Sequence, residues 1–360
     1  MLAITSPTYS DPSGYELSEI PLPKITEPDE VIIRVHAASI NPVDVKIASG
    51  AFKQAGLLEA FPIRLGYDCA GVVTEVGKDV RDLKVGDKVW SRLPESTKGS
   101  WSEYAKATPS HISLMPTNLS FAEAASLPLA AITAVQALRK YEGDLAGKTV
   151  FVPAGLGGTG AFACQLAKNV FKAGKVITTV STAKVGRVAE LLGEGVVDQI
   201  IDYTKEDPTT IIPRGSIDFL LDTMGQALSY LSLMTPHTST IMSISTTPSG
   251  TQLQSSSFFS RPSNPKIPWL VKTFLDGADY VRKLRARRWG VRYEYMFLES
   301  GRGELDALRG FVEEGRLRAV VGSRVALRDA GAVREACGRV YQGKGGVGKT
   351  VFEVVGEGEG

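Results

Sequence analysis

Cysteine and histidine are scarce in this 360-residue chain, with three of each. Cys69, Cys164 and Cys337 are widely separated, and the first two lie in apolar runs, so buried free thiols in a reducing compartment are expected rather than a disulfide framework. Neither sign of charge dominates: 41 Lys and Arg stand against 39 Asp and Glu. Nothing global therefore argues for nucleic acid or for an acidic membrane surface. No apolar run approaches the ~20 residues of a spanning helix. The opening Met1 to Pro7 lacks a basic region, a long apolar core and an arginine-rich amphipathic pattern. These absences predict a cytoplasmic protein without membrane or nucleic-acid partners. With 43% hydrophobic residues the chain has enough apolar content for two cores. No internal repeat is visible.

Glycine is plentiful, with 37 residues, and its most informative cluster follows Val150-Phe151-Val152. Gly155, Gly157 and Gly160 satisfy G-x-G-x-x-G between an apolar strand and a helical run, with a second strand at Lys175 to Val180. That spacing permits a sharp turn, close backbone approach to a pyrophosphate and tight packing of helix on strand. The helix start offers free N–H groups and a positive dipole end to phosphates. Gly157, Gly158 and Thr159 are expected to meet the pyrophosphate. After the second strand an NAD site carries Asp or Glu for the ribose diol; here Ser181-Thr182-Ala183-Lys184 stands instead. Hydroxyls and an ammonium suit a 2′-phosphate, so NADPH is the expected cofactor. Ser181 or Thr182 also serves as a helix N-cap, and the two readings are compatible.

Before this stretch, short glycine- and proline-bounded strands predict a compact β-barrel-like unit. Near Ser120 the pattern turns helical, with Ser120 and Glu123 forming a capping box and a second helix from Leu129 to Arg139. After it, strands at Gln199 to Tyr203, Ile217 to Asp222 and Thr240 to Ile244 alternate with helical segments. That alternation predicts a doubly wound parallel sheet. Residues 246–268, rich in Ser, Thr and Pro, read as a loop, and Tyr280 to Trp289 as a basic, solvated helix. Gly356 to Gly360 are expected to be disordered. Gly343 to Thr350 matches the P-loop string, but a β-type run follows where a phosphate-binding helix is required, so ATP or GTP binding is not expected.

Asn41-Pro42-Val43-Asp44, the Gly66-Tyr67-Asp68 to Gly77 run, Val85 to Val89, Ala124 to Pro128 and the glycine turn occur in one order. Together they resemble the medium-chain dehydrogenase/reductase superfamily, in its zinc-independent quinone oxidoreductase branch. Residues 190–300 are similar to fungal members, and Gly348-Lys349-Thr350-Val351 to the strand that closes these proteins. The resemblance covers nearly the whole chain. It implies an α/β protein with a GroES-like β-barrel catalytic domain and a Rossmann domain. Residues 1–122 and 301–360 would form the first and 123–300 the second, with the active site between them.

Zinc-dependent relatives carry Cys where this chain has Asn41, and Gly-His-Glu where it has Gly66-Tyr67-Asp68. With their cysteine cluster also missing, no metal is expected. Without a Lewis acid, the natural chemistry is hydride transfer from NADPH to a quinone or an α,β-unsaturated carbonyl, whose oxygen gathers charge. By match to the family pattern Asn41, Lys46 and Tyr67 line the cleft, and Lys46 or Tyr67 supports the enolate. Relatives often have tyrosine in place of Lys46. An Asn-Pro turn, a surface lysine and a packed tyrosine account for the same residues without catalysis. The resemblance further implies Thr133 and Ser245 near the nicotinamide, and Ser181, Lys184 and Tyr203 around the 2′-phosphate. A small-molecule substrate is implied, and a homodimer through the Rossmann sheet edge is common in the family. Two alternatives stay open. One is a trans-acting enoyl reductase of a polyketide pathway, docking an acidic carrier protein on the Arg282 to Arg292 region. The other is a non-catalytic NADPH-binding interaction protein.

Overall fold

The strand before the glycine turn, Thr149–Val152, is third in a six-stranded parallel sheet of the computed structural model. The model describes residues 1–259 and 265–355. The sheet order is Gln199–Asp202, Lys175–Val180, Thr149–Val152, Phe219–Asp222, Thr240–Ser243, Arg292–Tyr295. The chain winds outward in one direction from Thr149–Val152, then returns beside it and winds outward in the other. The order therefore reverses between Thr149–Val152 and Phe219–Asp222, and the crevice at the strands' carboxyl ends there is the ligand position of such sheets. Register places Ile177, Phe151, Leu220, Ile241 and Tyr293 side by side in one buried row across five strands. Each such side chain contributes about 1.5–3 kcal/mol on burial.

Two compact units compose the chain. The parallel sheet belongs to the unit of Thr133–Leu298 and Arg316–Arg318. The other unit comprises Met1–Ile132, Glu299–Gly315 and Ala319–Gly360. Its larger sheet runs Val321–Ala326, Lys349–Glu353, Val31–Ser39, Asp68–Val76, Lys88–Arg92, Ile112–Leu114, with Tyr104–Ala107 also on Val31–Ser39. A smaller sheet joins Glu16–Glu19, Leu2–Ser6 and Ile63–Arg64. Alternate residues of Val31–Ser39, Val31, Ile33 and Val35, enter one core with Val73, Trp101 and Phe352. A β-rich unit and a doubly wound sheet were both expected from the sequence.

Two local expectations need correction, one strand is added, and the P-loop string ends in the expected β-run. The 246–268 run contains a helix, Gly250–Ser255, because Ser249 caps it and Gln252 completes the box. Residues 260–264 of that run, and the expected disorder of 356–360, lie outside the described residues. The basic helix begins well before Tyr280, at Trp269, and runs to Arg287. A sixth strand, Arg292–Tyr295, follows it on the sheet edge beside Thr240–Ser243. The P-loop string ends in the strand Lys349–Glu353, parallel to Val321–Ala326 and antiparallel to Val31–Ser39.

Candidate functional site

The glycine turn has the geometry its spacing requires. Ala154 adopts φ 57°, and its N–H donates to Thr179 Oγ1 at 3.1 Å. A Cβ on Gly155 would lie 2.0 Å from Thr178 Oγ1, and one on Gly160 2.4 Å from the Ala154 carbonyl oxygen. Neither position admits another residue without movement. Gly157 is the N-cap of the Gly158–Gln165 helix and offers no capping side chain. An N-cap side chain ordinarily takes the second or third helical N–H. Glycine there leaves the N–H groups of Thr159 and Gly160 to an incoming anion, with the helix dipole behind them. Narrow turn, uncapped amides and the Thr159 hydroxyl together fit a pyrophosphate.

At the ends of the neighbouring strands the sequence-predicted residues fall as follows. Ser181 is the N-cap of the short Thr182–Lys184 turn, and Tyr203 is exposed just beyond Gln199–Asp202. Sequence reasoning passed over Asp202, whose backbone pairs with Val180. Its carboxylate accepts from Thr182 Oγ1 at 2.6 Å and Thr204 Oγ1 at 2.6 Å, which hold its pKa down at about 2. An acid is thus present beside the second strand, one strand over from its position in an NAD site, with hydroxyls on both oxygens. Buried Asp222 shapes the turn after Phe219–Asp222 by accepting from the N–H groups of Gly225 and Gln226 at 2.7 and 3.0 Å. Exposed Ser245 donates to the Thr223 carbonyl at 2.5 Å, which ties the turns after Phe219–Asp222 and Thr240–Ser243 together. Thr133 is buried in the Pro128–Arg139 helix.

In the β-rich unit Asn41 starts the Pro42–Ala48 helix, with Pro42 in the first turn, where a missing N–H costs nothing. Its backbone N–H donates to Asp44 Oδ2 at 2.7 Å. Its side chain is buried and shared: Nδ2 donates to Asp68 Oδ2 at 2.8 Å, and Oδ1 accepts from Lys349 Nζ. Lys349 Nζ also donates to the Ile40 carbonyl at 2.8 Å and lies 3.8 Å from Asp68 Oδ2. Asp68 further accepts from Ser39 Oγ at 3.1 Å and the Leu129 N–H at 2.9 Å. One buried ammonium therefore serves two buried carboxyls. Asp68, held by three donors and the cation, carries the negative charge. Asp44 has an Oδ1 without a hydrogen-bond partner, and burial pushes its carboxyl up to about 8.

Lys46 follows on the same helix with its side chain in solvent. Tyr67 differs. It is fully buried, and its hydroxyl donates to Glu95, which also pairs with Arg92 at 2.6 Å. The Arg92 guanidinium stacks 4.4 Å from the Tyr67 ring. Burial, then the neighbouring Glu95 carboxylate, push the phenol well above its ordinary value. The structure thus joins Asn41 to an internal polar network and Tyr67 to another, and leaves Lys46 as the exposed group of the three. Sequence reasoning missed Asp44, Asp68 and Lys349 as network members; Asp44 alone was signalled, by its capping-box spacing from Asn41. Among the described residues no group of three or more His, Cys, Asp or Glu side chains is arranged to hold a metal ion.

Comparison with known proteins gives the chain its place. Residues 27–117 match the alcohol dehydrogenase GroES-like domain, and residues 196–351 match the zinc-binding dehydrogenase family. A chloroplastic NADPH-dependent alkenal/one oxidoreductase of Arabidopsis thaliana is 43% identical over 209 residues, 55% of this chain and 52% of that protein. The chain spans about half the length of the plant relatives it matches. The mitochondrial NAD(P)H oxidoreductase RTN4IP1 of Mus musculus is 30% identical over 367 residues, covering 93% of this chain and 84% of that one. The quinone oxidoreductase of Coxiella burnetii superposes with a TM-score of 0.79 at 30% identity, covering 99% of each chain. With both domain families matched in chain order and similarity sustained over nearly its whole length, the chain belongs to the medium-chain dehydrogenase/reductase superfamily.

Proposed function

We propose that this chain is an NADPH-dependent reductase of α,β-unsaturated carbonyls or quinones that works without zinc. The observation that carries the reading is the uncapped glycine turn at the carboxyl end of the parallel sheet, where Gly155, Gly157, Gly158, Thr159 and Gly160 would hold the pyrophosphate. Relatives named as an alkenal/one oxidoreductase and a quinone oxidoreductase support the acceptor class. Ser181, Lys184 and Tyr203 would receive the 2′-phosphate, and Thr133 and Ser245 the nicotinamide end. Bound there, NADPH supplies a hydride.

Reduction of an enone places hydride on the β-carbon and a proton on the α-carbon, with negative charge on the carbonyl oxygen in between. A quinone takes the same hydride and proton to become a hydroquinone. In this reading Lys46 is the group that meets the developing oxyanion, because its ammonium is exposed. Tyr67 acts through the Arg92–Glu95 pair as a positioning residue, since its own proton is committed to Glu95. Asn41 fixes the start of the helix that carries Lys46 by holding Asp68 and Lys349. The buried free thiols fit the cytoplasm.

The deciding experiment is NADPH oxidation by metal-free protein against enones, quinones and enoyl thioesters, with NADH in parallel. Turnover on one acceptor class with NADPH preferred is the expected result. Absence of NADPH binding removes the proposal. Tight binding without turnover on any acceptor transfers it to a non-catalytic role.

A further inference from the structure

The Trp269–Arg287 helix is inverted relative to an ordinary surface helix. Several of its polar residues face the protein: Asp279 is buried and paired with Lys283 at 2.7 Å, while Lys272 reaches Thr251 Oγ1 at 2.9 Å and Asp276 Oδ2 at 3.3 Å. Arg282 donates to the Thr247 carbonyl at 2.5 Å. Its largest apolar residues face away from the chain, although Ala286 is buried and Val271 and Leu275 are half-buried. Trp269, Leu270, Phe274, Tyr280, Val281 and Leu284 are all exposed, Trp269 at 72% and Phe274 at 74%. A helix normally buries its apolar stripe. Here the stripe repeats at spacings of four and three, through Leu270, Phe274, Gly277, Val281 and Leu284, which is the seam of a helix that packs on another helix.

Gly277 stands mid-seam. Glycine in a helix interior costs roughly 1 kcal/mol against alanine. Nothing among the described residues asks for it, because a Cβ there would meet no atom of theirs within 4 Å. A glycine that its own chain does not need is explained by another backbone approaching from outside.

We propose that a second copy of this chain covers this face, its helix antiparallel to the first and crossing it at Gly277 on a two-fold axis. The sequence is self-complementary about that point. Residues equally distant from Gly277 oppose each other, so Phe274 meets Tyr280 of the other copy, Leu270 meets Leu284, and Trp269 meets the exposed Arg285. These are an aromatic pair, an aliphatic pair and a cation over an indole face. A two-fold interface demands this reciprocity. At their exposures the six apolar side chains present roughly 700 Å² per copy, about 1,400 Å² for the pair, within the range of stable interfaces. The interface does not depend on which acceptor the enzyme reduces.

Equilibrium sedimentation of the full chain at micromolar concentration tests the proposal. A dimer is expected, with Phe274→Asp weakening it about 30-fold or more, as for a central interface aromatic, while the circular dichroism of the dissociated variant keeps the native secondary structure, because Phe274 is exposed within a single copy. Gly277→Cys is expected to give a disulfide-linked dimer on mild oxidation, since the three native cysteines are buried. A monomer overturns the proposal, and a monomer that sediments with phosphatidylserine vesicles assigns the face to a lipid surface. A dimer indifferent to Phe274→Asp and not cross-linked through Gly277→Cys overturns it in favour of another interface, such as the sheet edge.

Discussion

Replacing Lys349 by methionine keeps most of the side-chain volume and removes the only cation within 4 Å of the Asp68 carboxylate among the described residues. Three things then change together. Asp68, fully buried, loses its counter-charge, and the Asn41 side-chain oxygen and the Ile40 carbonyl each lose a donor. Removing one partner of a buried ion pair costs about 3–5 kcal/mol, mostly the penalty of the charge left behind. The remedy for a stranded carboxylate is protonation, so the folded-state pKa of Asp68, already raised by burial, rises further. A carboxyl with a raised folded pKa contributes stability below its unfolded value and loses it as pH climbs towards the folded value. The deficit of Lys349→Met should therefore shrink as pH falls from 7 to 5 and widen towards 9. Urea unfolding followed by tryptophan emission is a suitable assay, because Trp90 and Trp101 are buried in this unit whereas Trp269 and Trp289 are exposed. The double variant Lys349→Met with Asp68→Asn should recover most of the loss. A single-variant deficit under about 1 kcal/mol, in the range of a surface pair, or a double variant no better than the single, would refute the account of this network.

Asp44→Asn removes a carboxyl pushed up to about 8 by burial, from an ordinary 3.8. Native stability due to Asp44 falls as pH rises between those values, so the variant should gain on the native protein from pH 5 to pH 8; a gap that moves the other way in thermal melts sinks the assignment. Gly155→Ala drives a Cβ into Thr178 and its 2.6 Å bond to the Val152 carbonyl. Overpacking of about 1–3 kcal/mol and weakened NADPH binding are expected together, by melting and by cofactor fluorescence. Lys184→Ala should raise the Kd for NADPH well beyond that for NADH; equal effects would deny it the 2′-phosphate. Lys46→Ala should lower kcat while Tyr67→Phe mainly lowers stability, and an unchanged kcat in Lys46→Ala removes Lys46 from the oxyanion.

Features set by neighbours in sequence were legible, and features set by distant partners were not. The glycine turn follows from three residues and their spacing. The Ser120–Glu123 box is equally local, with the Glu123 carboxylate accepting from the Ser120 N–H at 2.8 Å. Arg292–Tyr295 escaped notice because four residues of mixed polarity make a strand only where Thr240–Ser243 offers an edge. The Trp269 helix was seen only in its basic second half, since Pro268 stands just before its first turn and Gly277 lies within its first half. Asp202 was overlooked because a single strand does not reveal which neighbour it will lie against. Lys349 was hidden most deeply. Its string mimics a phosphate loop, and nothing local marks a lysine that will be buried beside Asp68.

Asn41 and Lys349 are 308 residues apart in the chain yet share a proton donor and acceptor. On a ribosome adding ~5–20 residues per second, that separation is roughly 15–60 s of synthesis. Throughout it the Val31–Ser39 strand lacks its Lys349–Glu353 neighbour, and Asp68 lacks its cation. The parallel-sheet unit is completed before the β-rich one that began first. The nascent β-rich unit therefore spends its synthesis with an open strand edge and an unneutralised interior acid, the period in which a chaperone would have most to hold.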